Sequence, residues 1–248
     1  MALGDHPTDG DLVILLIPDG YGPAVQQFAE ELHPRIVVLQ PADLCSAGWR
    51  FDPADPGDAR LIADGTVHRV SELRAIVCAL PVVTPAMLPL VHEEDRAYVA
   101  AELTALLNAV LATARCPVLN PPQGGCLSGP SWPPETWAVL AHQVGIPTWP
   151  LRRVPQPNLP SRRTPSADGV EADVAVTVCG AHVVERGADG ALVDLARRLA
   201  DSTGVPLLTT TFRRHAGIPL LTGVLPVPDL ARRGLAAAVT RHLQDCAA

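Results

Sequence analysis

"LVILLIPDGYGPAVQQFAEELHPRIVVL", residues 12–39, decides the fold. Leu12 to Ile17 is an unbroken apolar run, the pattern of a strand buried on both faces of a sheet. Pro18-Asp19-Gly20 ends it as a turn. Residues 22–32 then place Val25, Phe28 and Leu32 at helical spacing, and Arg35 to Leu39 returns as a second apolar strand. Strand, helix and strand at this spacing predict a βαβ unit, with parallel strands joined by a right-handed crossover.

Outward from that unit, Leu61 to Val67 carries Asp64-Gly65 between two short extended runs, which predicts a hairpin. Leu73 to Leu80 reads as another strand, stopped by Pro81. The longest helix begins near His92-Glu93-Glu94-Asp95, where acids suit the positive end of the helix dipole. Its apolar stripe is Val99, Leu103, Leu106, Leu107, Val110 and Leu111. Cys116 to Leu119 is extended, and 120–134 is loop. Glu135 to Val144 is helical up to Gly145, Thr148 to Val154 is extended, and the proline-rich stretch 155–169 reads as a linker. A second block follows. Val174–Cys179 and His182–Glu185 pair as a hairpin, and Leu192, Leu195 and Leu199 give Leu192–Ala200 one inward face. Val205–Phe212 and Ile218–Val224 are strand-like, and Leu230–Leu243 closes as a helix. The expected class is α/β: an N-terminal parallel sheet with helices, then a smaller α+β block.

Composition narrows the function. The net charge is −7, against nonspecific nucleic-acid binding, which needs a basic surface. No apolar run approaches a membrane span, and Met1 to Asp11 does not read as a secretory signal, so no membrane partner and a cytoplasmic location are expected. The six cysteines lack CxxC spacing and read as small buried hydrophobes rather than a metal site. All nineteen basic side chains are arginines; no lysine occurs. The Ala-, Arg- and Pro-rich usage matches GC-rich bacterial coding.

Four stretches offer candidate binding residues. Gly124-Gly125-Cys126-Leu127-Ser128-Gly129 is glycine-dense and presents backbone N–H groups to an anion, with Cys126 as an exposed thiolate, or else is a flexible surface connection. It lacks the GK[ST] of a phosphate loop, and Ser128 and Ser131 lack the surroundings of a nucleophile. Arg213 and Arg214, at a hairpin tip, suit a carboxylate or phosphate, or else are solvated. Trp132, Trp137 and Trp149 crowd one short region, either as an interface anchor or as filling for the core. His92, Glu93 and Asp95 read as helix caps rather than metal ligands.

Several phrases resemble the ATP-grasp peptide ligases of the RimK and microviridin-maturase type. "EEDRAYVAAELTALLNAVLA", together with the unit from Leu12 to Leu39 and the hairpin, is similar to their pre-ATP-grasp domain. Val118-Leu119-Asn120-Pro121-Pro122 resembles the crossing into the nucleotide-binding lobe, and "LAHQVGIPTWP" the helix and strand that follow it. "LADSTGVPLLTTTF" and "GVLPVPDLARRGLAAAVTRHL" resemble the end of the core. The resemblance implies a pre-ATP-grasp-like domain over 1–118, a shortened ATP-grasp remnant and linker over 119–169, and a C-terminal lobe over 170–248.

Departures from the family pattern bear on activity. Where the family has a phosphate-binding lysine, this chain has Ser131-Trp132-Pro133-Pro134. Where an arginine pair is usual, Ala79-Leu80-Pro81 stands. Where a Glu-x-Asn pair holds magnesium, Gly223 and Leu225 stand, and neither side chain supplies an oxygen. The short stretch between "WPLRRVP" and the second block leaves no room for the central nucleotide-binding subdomain. Phosphoryl transfer rests on positioning and charge neutralisation, so these losses remove its mechanism. The expectation is a non-catalytic binding or scaffold protein without cofactor or metal, accompanying an enzyme of peptide or natural-product modification. Its expected partner is that enzyme, a peptide, or a second copy of the chain. The alternative is an enzyme that reuses the old cleft through arginines and the Gly124–Gly129 loop.

Overall fold

The computed structural model describes residues 13–32, 35–150 and 173–246. They group into two compact units, one running to Ser131 and resuming at Pro226, the other between Trp132 and Leu225. The sequence-derived linker at 155–169 lies outside the described residues. The grouping divides the chain near 131 and 226, and the last helix packs with the first unit.

The first unit opens with β1 (Val13–Ile17), α1 (Pro23–Leu32) and β2 (Ile36–Val38), the βαβ unit the sequence predicts. A one-turn helix α2 (Pro41–Leu44) leads to the hairpin β3 (Arg60–Ala63) and β4 (Thr66–Arg69). Strand β5 (Leu73–Cys78), helix α3 (Arg96–Thr113) and the short β6 (Val118–Leu119) complete its N-terminal part. The sheet order is β2-β1-β5-β6, parallel throughout, with Leu15 between Val37 and Ile76, and Ile76 beside Val118. Leu15, Leu16, Ile17, Ile76, Val77 and Cys78 are no more than 1% exposed, which is why these strands read as continuous apolar runs. Each large one contributes about 1.5–3 kcal/mol by leaving water. Leu107, Val110 and Leu111 of α3 are buried in the same core, with Val99, Leu103 and Leu106 at its margin.

The hairpin turns on Asp64 and Gly65, both with positive φ (49° and 70°), the signature of a tight primed turn. A buried carboxylate holds it. Asp43 accepts from the backbone N–H of Gln40 (2.8 Å), Asp64 (3.0 Å) and Gly65 (2.9 Å), while Asp64 accepts from Val38 N–H at 2.9 Å. The turn is thereby fastened to both α2 and β2.

One expectation at α3 fails. Asp95 occupies the N-cap position but makes no side-chain cap, and its backbone is already helical. Its N–H, and that of Arg96, instead bond His92 O, so a backbone turn replaces the acidic cap.

In the second unit, α4 (Pro134–Gln143) precedes β7 (Val174–Cys179), β8 (His182–Glu185), α5 (Gly190–Thr203), β9 (Leu207–His215) and β10 (Ile218–Leu225). The strands form an antiparallel sheet in the order β10-β9-β7-β8. Helix α5 starts at Asp189, whose carboxylate accepts from Leu192 N–H at 3.0 Å, and stops at Gly204 in the left-handed region. Its Leu192, Leu195 and Leu199 meet Val176, Val178, Leu208 and Phe212 in one core, as their spacing predicts. The final helix, α6 (Leu235–Asp245), belongs to the first unit and begins later than Leu230, since Gly234 forms its N-cap. Thr240 Oγ1 donates to Leu32 O at 3.1 Å, satisfying a carbonyl at the end of α1.

Candidate functional site

Four places where the sequence departs from the ligase pattern, or offers a glycine-dense loop, are each built from local constraints. At the entrance to α4, Pro133 is the N-cap residue and Pro134 begins the helix. Two prolines remove two N–H donors from the helix end that would otherwise face an anion. Trp132 turns its ring onto Trp137, with centroids 4.8 Å apart and planes at 54°. Trp137 is 5% exposed and sits in the core with Ala141, Ile146 and Leu199. It is therefore a core residue, and the contact-surface reading fails for it; Trp132 packs half-buried against the same cluster.

After β5, Ala79 and Leu80 are each 1% exposed. Ala79 N–H bonds Ile17 O at 2.7 Å, so this stretch continues the sheet into the core. A guanidinium at either position would be buried without water, at a cost of several kcal/mol.

The glycine-dense loop divides in two. Gly124 (φ 60°) and Gly125 (φ 84°) form an exposed turn, with Gln123 and Cys126 exchanging backbone hydrogen bonds at 3.0 and 3.1 Å. Beyond the turn the chain goes inward. Leu127 and Ser128 are fully buried, Cys126 is 8% exposed, and Leu127 N–H bonds Pro81 O at 2.8 Å. The loop is thus not a flexible surface connection over its whole length, and Cys126 is not an exposed thiolate. Leu127 is a core residue flanked by small ones, so the segment is anchored by one apolar side chain. Gly129 (φ 101°) lies over Asn120, where an added Cβ would stand 3.0 Å from the Asn120 Cβ.

On β10, Gly223 faces Thr211 and Leu225 faces Thr209, after a register shift between Leu221 and Gly223. Thr209 Oγ1 lies 2.8 Å from Thr177 Oγ1, and Thr222 Oγ1 donates to Thr211 O at 3.0 Å. Neither Gly223 nor Leu225 carries a carboxylate. Among the described residues, no three His, Cys, Asp or Glu side chains gather as a metal site.

Arg213 and Arg214 reach solvent at the hairpin, and each is paired with a carboxylate of this chain. Arg213 Nε and Nη2 each donate at 2.8 Å to the Asp173 carboxylate, a bidentate fork that holds the guanidinium charged and raises its pKa. The Arg213 guanidinium also lies 5.6 Å from the Trp149 ring centre, and Trp149 meets His215 edge-on at 5.9 Å. Arg214 pairs with Asp189, the cap of α5. These partners lie 40 and 25 residues away in sequence, with no local spacing to signal them. The structure thus brings Trp149 to Arg213 and Trp132 to Trp137, while Gly124, Gly125 and Cys126 belong to the other compact unit.

Sequence reasoning missed two buried polar residues. Asn120, fully buried, donates from Nδ2 to Pro226 O at 2.5 Å, and Asp43 anchors the hairpin. Burial also sets the thiols apart: that of Cys78 is pushed up to about 12, and that of Cys116 to about 11.

No protein-family model matches the sequence, and no curated protein matches it significantly. Solved structures do. The macrocyclase MdnC from Microcystis aeruginosa MRC, bound with precursor peptide MdnA, aligns over 95% of this chain and 100% of its own (8% identity, TM-score 0.66). The ATP-grasp ligase PsnB, complexed with precursor peptide PsnA2 and AMPPNP, aligns over 93% of this chain and 98% of its own (14% identity, TM-score 0.62). The Chryseobacterium gregarium RiPP-associated ATP-grasp ligase, in complex with ADP and a leader and core peptide, aligns over 96% and 98% (8% identity, TM-score 0.61). With its parallel sheet, antiparallel sheet and linking helices, this chain has an ATP-grasp-like fold, the fold of these peptide-bound ligases.

Proposed function

We propose that this chain is a non-catalytic ATP-grasp-like binding protein that holds a peptide or a partner enzyme during peptide modification. The observation that carries the reading is β10, where Gly223 and Leu225 stand at the positions expected to ligate magnesium and face threonines instead of offering carboxylates. The whole chain also lacks lysine, so no ammonium is available for a triphosphate. Arginine is a wider, planar fork and does not substitute at a site shaped for a point charge. At the three places where the family's cationic and metal-binding groups are expected, the chain presents prolines, buried apolar residues and a glycine. Only residues 151–172 separate Pro150 from Asp173, which supports the loss of a central nucleotide-binding subdomain.

The competing reading, an enzyme that reuses the cleft, draws on Arg213, Arg214 and the Gly124–Gly129 loop. Both arginines are already matched by carboxylates, and the loop spends Cys126 and Leu127 N–H groups on its own chain. The peptide partner is suggested by the precursor peptides in the solved relatives. The experiment is a coupled ADP-release assay with magnesium and ATP, alone and with the precursor peptides MdnA and PsnA2 of the solved structures. ADP release no faster than the buffer blank supports the proposal, and peptide-stimulated release defeats it.

A further inference from the structure

Helix α3 differs from its neighbours on the side that faces solvent. Helix α1 exposes Gln26, Gln27, Glu30 and Glu31, and α5 exposes Asp194, Arg197, Arg198 and Asp201. That is the ordinary surface helix, apolar inward and polar or charged outward. In α3 the inward side is equally apolar, with Ala100, Leu107, Val110 and Leu111 buried. Its outward side presents Tyr98, Ala101, Glu102, Ala105 and Ala112, and among the exposed residues of this 18-residue helix Glu102 alone is charged. Tyr98 is 68% exposed. Val82, 45% exposed, borders the same side, because the next residue, Val83, donates its N–H to Thr104 Oγ1 at 3.1 Å. A helix that is apolar all round is normally covered on every side.

We propose that the outward side of α3 is the interface of a homodimer, covered by α3 of a second copy of this chain running antiparallel to it. The face is self-complementary about Ala105. A two-fold axis there pairs residues equally far from the centre. Tyr98 and Ala112 each lie seven residues from Ala105, so the bulky ring of one copy meets the methyl group of the other. Glu94 and Asp95 lie eleven and ten residues before Ala105 and Arg115 ten residues after it, all three exposed. The acidic end of each helix therefore meets Arg115 of the other copy, and opposed helix dipoles favour the same arrangement. A parallel pairing would set acids against acids and Tyr98 against Tyr98. Alanine loses no rotamer freedom on burial. The helix is about 27 Å long, and a crossing angle of about 20° keeps two such helices in contact along that length. So narrow an interface buries less than about 1,200 Å², the range of weak, concentration-dependent association. The inference goes beyond the proposed function and holds whether or not the chain binds nucleotide.

The test is sedimentation velocity of the full chain over about 5 to 500 μM at physiological salt, a range that brackets weak association. The weight-average mass should rise with concentration from the 26.1 kDa of one chain towards twice that value. Ala105→Arg sets like charges on the two-fold axis and should hold the mass at that of one chain throughout. Val139→Arg, at an exposed apolar position of the second unit, should leave association unchanged. Glu94→Arg and Arg115→Glu should each weaken association about fivefold, and the two together should restore it, because the exchanged partners attract again. A single-chain mass over the whole range overturns the proposal. So does association that survives Ala105→Arg, disappears in Val139→Arg, or stays weak when both charges are exchanged.

Discussion

Asn120 Nδ2 donates to Pro226 O across 106 residues of sequence, joining the end of β6 to the segment that leaves β10. That bond lies inside the first unit, where the C-terminal segment returns to pack α6 on α1. The Asn120 side chain is fully buried, so deleting its amide leaves the Pro226 carbonyl in a site closed to water. Asn120→Ala should lower unfolding free energy by about 1–3 kcal/mol, read as a shifted urea midpoint with an unchanged slope. An unchanged midpoint would show that the bond contributes nothing.

Asp43 performs the matching task at the hairpin, accepting three backbone N–H groups on one carboxylate. Asp43→Ala removes the shared acceptor, leaving Asp64 N–H only its longer bond to Val38 O (3.3 Å), and should cost about 1–3 kcal/mol. Asp43→Asn should recover part of that loss, because one oxygen still accepts. Thermal melts of the two variants check the order.

Trp137 is a core residue, so Trp137→Ala should destabilise by about 3–5 kcal/mol through the cavity it leaves. Trp149→Ala removes a half-buried ring stacked with Arg213 and should cost distinctly less. Equal losses in urea unfolding would contradict the assignment of Trp137 to the core.

Alkaline stability follows from the buried thiols. The Cys78 thiol titrates near 12 in the folded chain, against 9.0 for a free thiol. The unfolded chain therefore releases this proton first, and stability falls as pH rises from about 9 towards 12, by up to about 1.4 kcal/mol per pH unit for this one group. Cys116 adds a smaller contribution in the same direction. Cys78→Ala should flatten the decline in urea midpoints above pH 9. Thiol labelling of the native chain should reach exposed Cys246 and spare Cys78 and Cys179.

How much of this was legible in the sequence depends on where each signal lies. Leu12–Leu39 could be read because both faces of β1 are buried, so the strand appears as an uninterrupted apolar run, and α1 keeps its own period. Asp64-Gly65 could be read because a primed turn demands positive φ at both positions. The Gly124–Gly129 segment could not: its anchor is one leucine among small residues, and a single apolar side chain has no period. The pairings of Arg213 and Arg214 were equally hidden, since Asp173 and Asp189 lie on other elements and ion pairing leaves no trace in spacing. Asp95 misled because a helix N-terminus draws acids through its dipole whether or not the side chain turns back to cap it. The likeness to ligases was legible because its phrases follow the order of the elements. The roles of individual side chains were not legible at 8–14% identity.

Calorimetric titration of ATP into the full chain with excess magnesium tests the central claim most directly. The account predicts no binding heat up to millimolar nucleotide and no shift in melting temperature. Saturable heat with a micromolar dissociation constant would contradict it, because the groups that grip a triphosphate would then have to be present in another form.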